Sequence, residues 1–213
     1  MAVLKTKVST RDERFKQNQA AMAEIVAVIF AVLYLLLAIR QNIWCWYCAA
    51  ISTAIFIFVY FSANLYMEAL LNVFYFGMAV YGWRQWSSTG DTASNLPVTT
   101  WSERTHFTAI AAILMLSIVS GFLLTQFTDA AYPYIDSATT YAAVWATYLV
   151  ARKVLENWWY WLVIDIVSVF IYWSRDLELT AVLFVLYVAL IPMGIVSWTR
   201  SYRSINNTAA APA

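Results

Sequence analysis

The sequence is short of most of what a soluble domain or an enzyme centre is built from. Only 12% of its 213 residues are charged, against about a quarter in soluble globular domains, which excludes an ordinary water-soluble fold. Two cysteines and one histidine exclude a disulfide framework and leave no His/Cys/carboxylate cluster at metal-ligand spacing. Cys45 and Cys48 form a C-x-x-C inside an apolar, Trp-rich helix start. Without the βαβ context of a redox motif they read as small packing residues. The lone His106 opens a hydrophobic run and reads as an interfacial side chain. There is no phosphate-cradling glycine loop, no nucleophile paired with a base and no basic cluster within the apolar runs, so neither catalysis nor a cofactor is implied. A net charge of +1 gives no reason to expect a nucleic-acid partner. No small-residue cleavage site follows the first apolar run, so a cleaved signal peptide is not expected.

What is abundant is hydrocarbon: 62% of the chain is hydrophobic and 17% aromatic. The apolar runs are about 17–21 residues long, the length that crosses about 30 Å of lipid as a helix, and a β-barrel is therefore not expected. The pattern predicts an all-α polytopic membrane protein with seven transmembrane helices. A polar tail over 1–22, basic at Lys5, Lys7, Arg11, Arg14 and Lys16, suits a short amphipathic helix on the membrane surface. A first three-helix bundle follows over 23–86, with helices at about 23–39, 44–61 and 66–86. A linker over 87–136 opens rich in Ser, Thr, Asn and Pro and holds a connecting helix at about 106–126. A second three-helix bundle over 137–198 has helices at about 137–153, 158–173 and 179–198, and a polar tail over 199–213 ends the chain.

The sixth helix carries the most informative pattern. Asn157, Trp161 and Asp165 stand at i, i+4 and i+8, and Ser168 follows three residues on, so all four share one side. A carboxylate in a transmembrane helix costs about 2.5–3.5 kcal/mol on insertion scales and as a rule faces the protein interior or a water-filled cavity. That face is expected to line a pocket; the bland alternative is that Asp165 bonds a hydroxyl of a neighbouring helix. Trp158 and Trp159 read as interface anchors, and Glu68 and Asn72 of the third helix as structural.

The halves also resemble each other. At an offset of 115, Asn42, Trp44, Trp46 and Thr53 fall on Asn157, Trp159, Trp161 and Ser168. At an offset of 112, Tyr60, Ser62, Leu65, Tyr75, Gly82 and Trp86 fall on Tyr172, Ser174, Leu177, Tyr187, Gly194 and Trp198. One helix between two three-helix units makes the repeats parallel, a recognised transporter plan with substrate near mid-membrane where the repeats meet. Asp165 falls on Ala50 and Pro192 on Val80, so an asymmetric site is expected. Pro192 with Gly194 weakens the seventh helix locally, as a static kink or a hinge.

Glu24-Ile-Val-Ala-Val-Ile-Phe30, Leu37-Ala-Ile-Arg-Gln-Asn-Ile-Trp44, Tyr81-Gly-Trp-Arg-Gln-Trp86, Glu156-Asn-Trp-Trp-Tyr-Trp161 and Leu179-Thr-Ala-Val-Leu183 resemble the PnuC family of bacterial vitamin transporters, best known for nicotinamide riboside. The resemblance implies a SWEET-like fold of two three-helix bundles and a linker helix, in the inner (cytoplasmic) membrane, without enzymatic activity. It implies facilitated diffusion sustained by a cytoplasmic kinase, with ligand against Asn157 and Trp161 and further contacts from Gln85 and Trp86. The proline that sugar-carrying SWEETs hold in the first helix of each bundle is absent here.

Nicotinamide riboside is a pyridinium cation with a carboxamide and a ribose. A Trp face attracts a cation by about 0.5–2 kcal/mol, which suits Trp161 to the ring. Asn157 or Gln85 can donate and accept at once, as a carboxamide or a diol requires. Asp165, if ionised, balances the charge, and Ser168 completes the polar face. Thiamine, another aromatic cation, fits the same groups. An intramembrane enzyme would need a second acid near Asp165, and Glu68 is the other candidate buried acid. A retinal protein would need a lysine in the last helix, whereas the last lysine is Lys153. The expected partners are thus a small-molecule substrate and the lipid bilayer, and a homo-oligomer is compatible with the sequence.

Overall fold

The structure is a computed structural model and describes residues 22–62, 66–87, 96–128, 132–174 and 178–209. The polar tail, the turn at 63–65, most of the Ser/Thr-rich stretch and the links at 129–131 and 175–177 lie outside the described residues. Seven helices are described: α1 (Met22–Ile39), α2 (Trp44–Ser62), α3 (Tyr66–Ser87), α4 (Glu103–Phe127), α5 (Pro133–Ala151), α6 (Asn157–Ser174) and α7 (Glu178–Ala209). The all-α, seven-helix architecture is the one the apolar runs predict. α1, α2, α4 and the Thr180–Asn207 part of α7 are long and apolar enough to cross a bilayer. Their large side chains are exposed in quantity, among them Ile29, Phe58, Phe107, Leu114 and Val185, as lipid-facing surface requires. The chain forms two compact units, Met1–Trp83 and Arg84–Ala213.

In the first unit α1 closes with a left-handed residue. Gln41 has φ 54°, its N–H donates to the Ala38 carbonyl at 2.9 Å, and the Asn42 N–H reaches back to the Leu37 carbonyl at 2.9 Å. This is a Schellman turn, which satisfies two of the carbonyls that a helix end leaves open. The Asn42 side chain then accepts from the Trp44 N–H at 3.0 Å and caps α2. Ser52 ties α2 to α1 by donating to the Ala27 carbonyl at 2.8 Å. Trp46 is buried, and its indole occupies the space over Gly82 of α3. Asn72 donates to the Glu68 carbonyl one turn back on its own helix. Neither cysteine is in a disulfide; Cys45 is buried and Cys48 half-buried.

In the second unit α4 packs on α5, and α6 contacts both α5 and α7. Ser102 caps α4 by accepting from the Thr105 N–H. α5 ends in the same turn as α1. Lys153 has φ 51°, its N–H donates to Val150, and the Val154 N–H donates to Leu149 at 2.9 Å. The segment 96–102 lies across this turn as a strap. The Thr99 N–H donates to the Lys153 carbonyl at 3.0 Å and the Leu155 N–H to the Thr99 carbonyl at 2.8 Å, while Val98 and Val154 are buried beneath. Thr100 also reaches the Tyr202 hydroxyl at 3.5 Å.

Two features depart from the sequence reading. Trp158 is not an interface anchor: it is 2% exposed, its indole fills the space over Gly194, and it meets Trp198 edge-on at 5.6 Å. Trp159, its neighbour, is exposed. α7 continues past Trp198 to Ala209, because neither glycine nor proline interrupts 199–209 and Thr100 contacts the extension. Pro192 lies inside α7, where it removes one backbone donor, and Gly194 has a packing role under Trp158.

Candidate functional site

The expected site residues are described in the second unit, and α6 positions four of them. Asn157 is the first residue of α6 and is completely buried. Its Nδ2 donates to the Val154 carbonyl at 2.6 Å, while its Oδ1 is buried without a hydrogen-bond partner among the described residues. Two turns deeper, Asp165 is 4% exposed. Tyr187 of α7 lies within its electrostatic reach, but no hydrogen bond or ion pair engages Asp165 among the described residues. Ser168 is buried one turn further on. Trp161 is half-buried and packs on the cluster of Ala143, Ala146 and Ile164, where α5 meets α6. Asn157, Trp161, Asp165 and Ser168 thus share one side of α6, three of them buried and Trp161 half-buried.

The end of α3 contributes differently. Gln85 is half-buried. Trp86 is buried, and its indole N–H donates to the Ala151 carbonyl at 3.1 Å. The Lys153 ammonium, itself buried, stands 4.5 Å from the centre of the Trp86 ring, a cation–π distance. Trp86 therefore pins the end of α3 to the end of α5 and already holds a cation from its own chain.

A cluster that the sequence did not reveal lies on the other side of α6. His106 Nδ1 and the Tyr160 hydroxyl are 3.0 Å apart, and His106 Nε2 is 3.9 Å from Glu156 Oε2. His106 lies some fifty residues from Glu156 and Tyr160, so no local motif announces the three together. They sit at one end of a cavity of about 710 Å³ walled by α4, α5 and α6. None of Asn157, Trp161, Asp165 or Ser168 lines that cavity. Among the described residues no group of His, Cys, Asp and Glu is placed to hold a metal ion.

The family model described as Nicotinamide mononucleotide transporter matches residues 21–200. The chain belongs to that family. Members of the Nicotinamide mononucleotide transporter family are membrane transporters rather than enzymes, and this chain is a multi-pass protein of the inner membrane. It is 26% identical to the riboflavin/roseoflavin transporter RibM of Streptomyces davaonensis, over 83% of this chain and 84% of RibM. It is 24% identical to the nicotinamide riboside transporter PnuC of Escherichia coli, over 84% of this chain and 86% of that protein. The fold matches the crystal structure of the vitamin B3 transporter PnuC with a TM-score of 0.67 at 20% identity, covering 92% of this chain and 88% of that one.

Proposed function

We propose that the chain carries nicotinamide riboside across the membrane by facilitated diffusion, with the ligand resting on the Asn157, Trp161, Asp165 and Ser168 face of α6 and with Gln85 and Trp86 at the edge of the site. The observation that carries the proposal is a pair of orphans on one buried face. Asn157 Oδ1 and the Asp165 carboxylate are both shielded and both lack hydrogen-bond partners among the described residues. A buried polar group left unpaired costs about 1–3 kcal/mol, more if charged, so such groups are kept where they have a task. A cationic aromatic ligand with an amide and hydroxyls answers both needs: its N–H or O–H groups donate to Asn157, and its charge meets Asp165.

Riboflavin is the second reading, because RibM is among the relatives. Its ring carries no positive charge and leaves Asp165 without a counter-charge, which favours the pyridinium ligand. Thiamine satisfies the acid equally well. Binding of labelled nicotinamide riboside to the purified protein, with unlabelled thiamine and riboflavin as competitors, ranks the three. Asn157→Ala and Trp161→Ala should insert normally and lose about tenfold in affinity. Unchanged affinity in both variants would remove this face of α6 from the site.

A further inference from the structure

The cavity between α4, α5 and α6 is a second site of a different kind. Its walls are Ile110, Leu114 and Ile118 of α4, Ile135 of α5, and Val163 and Val167 of α6, several of them exposed at its rim. At about 710 Å³ it has the volume of a small-molecule pocket. From His106 to Ile118 it follows α4 for about 18 Å at 1.5 Å per residue. That is close to one leaflet, half of the roughly 30 Å hydrocarbon layer. Ser117 and Thr139 also line it, but their hydroxyls donate back to the Ile113 and Ile135 carbonyls of their own helices, and its acid and its imidazole gather at one end. Glu156 and His106, with side chains 26% and 15% exposed, stand there with Tyr160. Neither Glu156 Oε2 nor His106 Nε2 has a hydrogen-bond partner among the described residues, and 3.9 Å is too long for a bond between them.

We propose that this groove binds one acyl chain of phosphatidylethanolamine, with the ammonium head at Glu156. A groove one leaflet deep, with mainly apolar walls and an acid, Glu156, at one end, matches a lipid chain with its head at the interface. The head is selected by what the end lacks. Glu156 needs a hydrogen-bond donor and disfavours a net negative head, which argues against phosphatidylglycerol; phosphatidylcholine brings a positive charge but no N–H to donate. The groove lies on the other side of α6 from Asp165, and none of Asn157, Trp161, Asp165 and Ser168 lines it.

The test is lipid retention by the full-length protein, purified in detergent and exposed to an equimolar mixture of phosphatidylethanolamine, phosphatidylcholine and phosphatidylglycerol of identical acyl chains, read by native mass spectrometry. Phosphatidylethanolamine should be retained several-fold over the other two. Glu156→Leu, which removes the acceptor, should bring phosphatidylethanolamine and phosphatidylcholine to parity. Ala138→Phe, which fills the groove, should abolish retention and leave nicotinamide riboside binding unchanged. Equal retention of the three lipids by the wild type, or a preference for phosphatidylglycerol, would overturn the assignment. So would efficient disulfide cross-linking between copies through Leu114→Cys in native membranes, since a second copy would then occupy the groove.

Discussion

Gly82 and Gly194 stand 112 residues apart, yet each meets an indole where its Cβ would be, Trp46 for one and Trp158 for the other. Gly77 has nothing within 4 Å of that position. Alanine therefore has opposite consequences at these sites. Gly82→Ala and Gly194→Ala push a methyl into a buried ring and should cost about 1–3 kcal/mol, as overpacking does. Gly77→Ala removes only the backbone freedom of glycine and should be neutral or stabilising by up to about 1 kcal/mol. Thermal unfolding of the three variants in one detergent gives the ranking, and a loss at Gly77 matching that at Gly194 would show that the ring contacts are not what matters. The same contacts explain what the sequence concealed. Trp158 and Trp159 are indistinguishable as letters next to a helix start, but one packs on a glycine of α7 and the other is exposed. The polar face of α6 was legible because its residues lie on one helix, where 3.6-residue periodicity alone places them together. Glu156, His106 and Tyr160 come from two stretches and meet only when α4 and α6 approach.

The two helix-ending turns are the same turn. Gln41 and Lys153 share a positive φ, and the bonds from Asn42 to Leu37 and from Val154 to Leu149 recur with them, all at a spacing of 112. We propose that the chain is a parallel repeat at this single offset. The offset of 115 at the start of the second helix of each half matches Asn42 with Asn157 by letter, but Asn42 caps α2 from outside while Asn157 is the first residue within α6. Letter matching favoured the tryptophans and passed over the turn, since neither copy marks its left-handed position with the usual glycine. At 112, Asn157, Trp161 and Asp165 fall on Cys45, Ala49 and Thr53, so the proposed ligand face stays particular to the second unit. Helix count and type were legible from hydropathy; the extension of α7 was not, because nothing apolar signals it. A left-handed backbone costs an L-residue about 1–2 kcal/mol, part of which glycine returns as unfolded-state entropy. Gln41→Gly should thus stabilise by about 0.5–1 kcal/mol in thermal unfolding. Lys153→Gly should gain less or lose, because it also removes the ammonium from Trp86. Equal gains at both turns would mean that the Lys153 contact contributes nothing.

For the whole molecule, facilitated diffusion of a cation makes a demand that diffusion of a neutral vitamin does not. A uniporter with no coupled ion equilibrates its ligand to equal electrochemical potential, and a single positive charge gains about 2.3 kcal/mol from 100 mV. At 1.36 kcal/mol per decade this is roughly a fifty-fold concentration ratio. Proteoliposomes holding a potassium diffusion potential of about 100 mV, negative inside, should therefore accumulate nicotinamide riboside to a plateau approaching fifty-fold and release it when the potential is collapsed. Riboflavin, if carried at all, should stop at a ratio of one under the same potential, so the plateau separates the two readings independently of affinity. Asp165→Asn sharpens the comparison. If the carboxylate meets the ligand charge, the variant should bind nicotinamide riboside more weakly while the plateau, fixed by the voltage alone, is reached more slowly at the same height. A plateau of one for nicotinamide riboside in the wild type would mean that a second charge moves with each ligand, and simple facilitated diffusion would have to be abandoned for coupled transport.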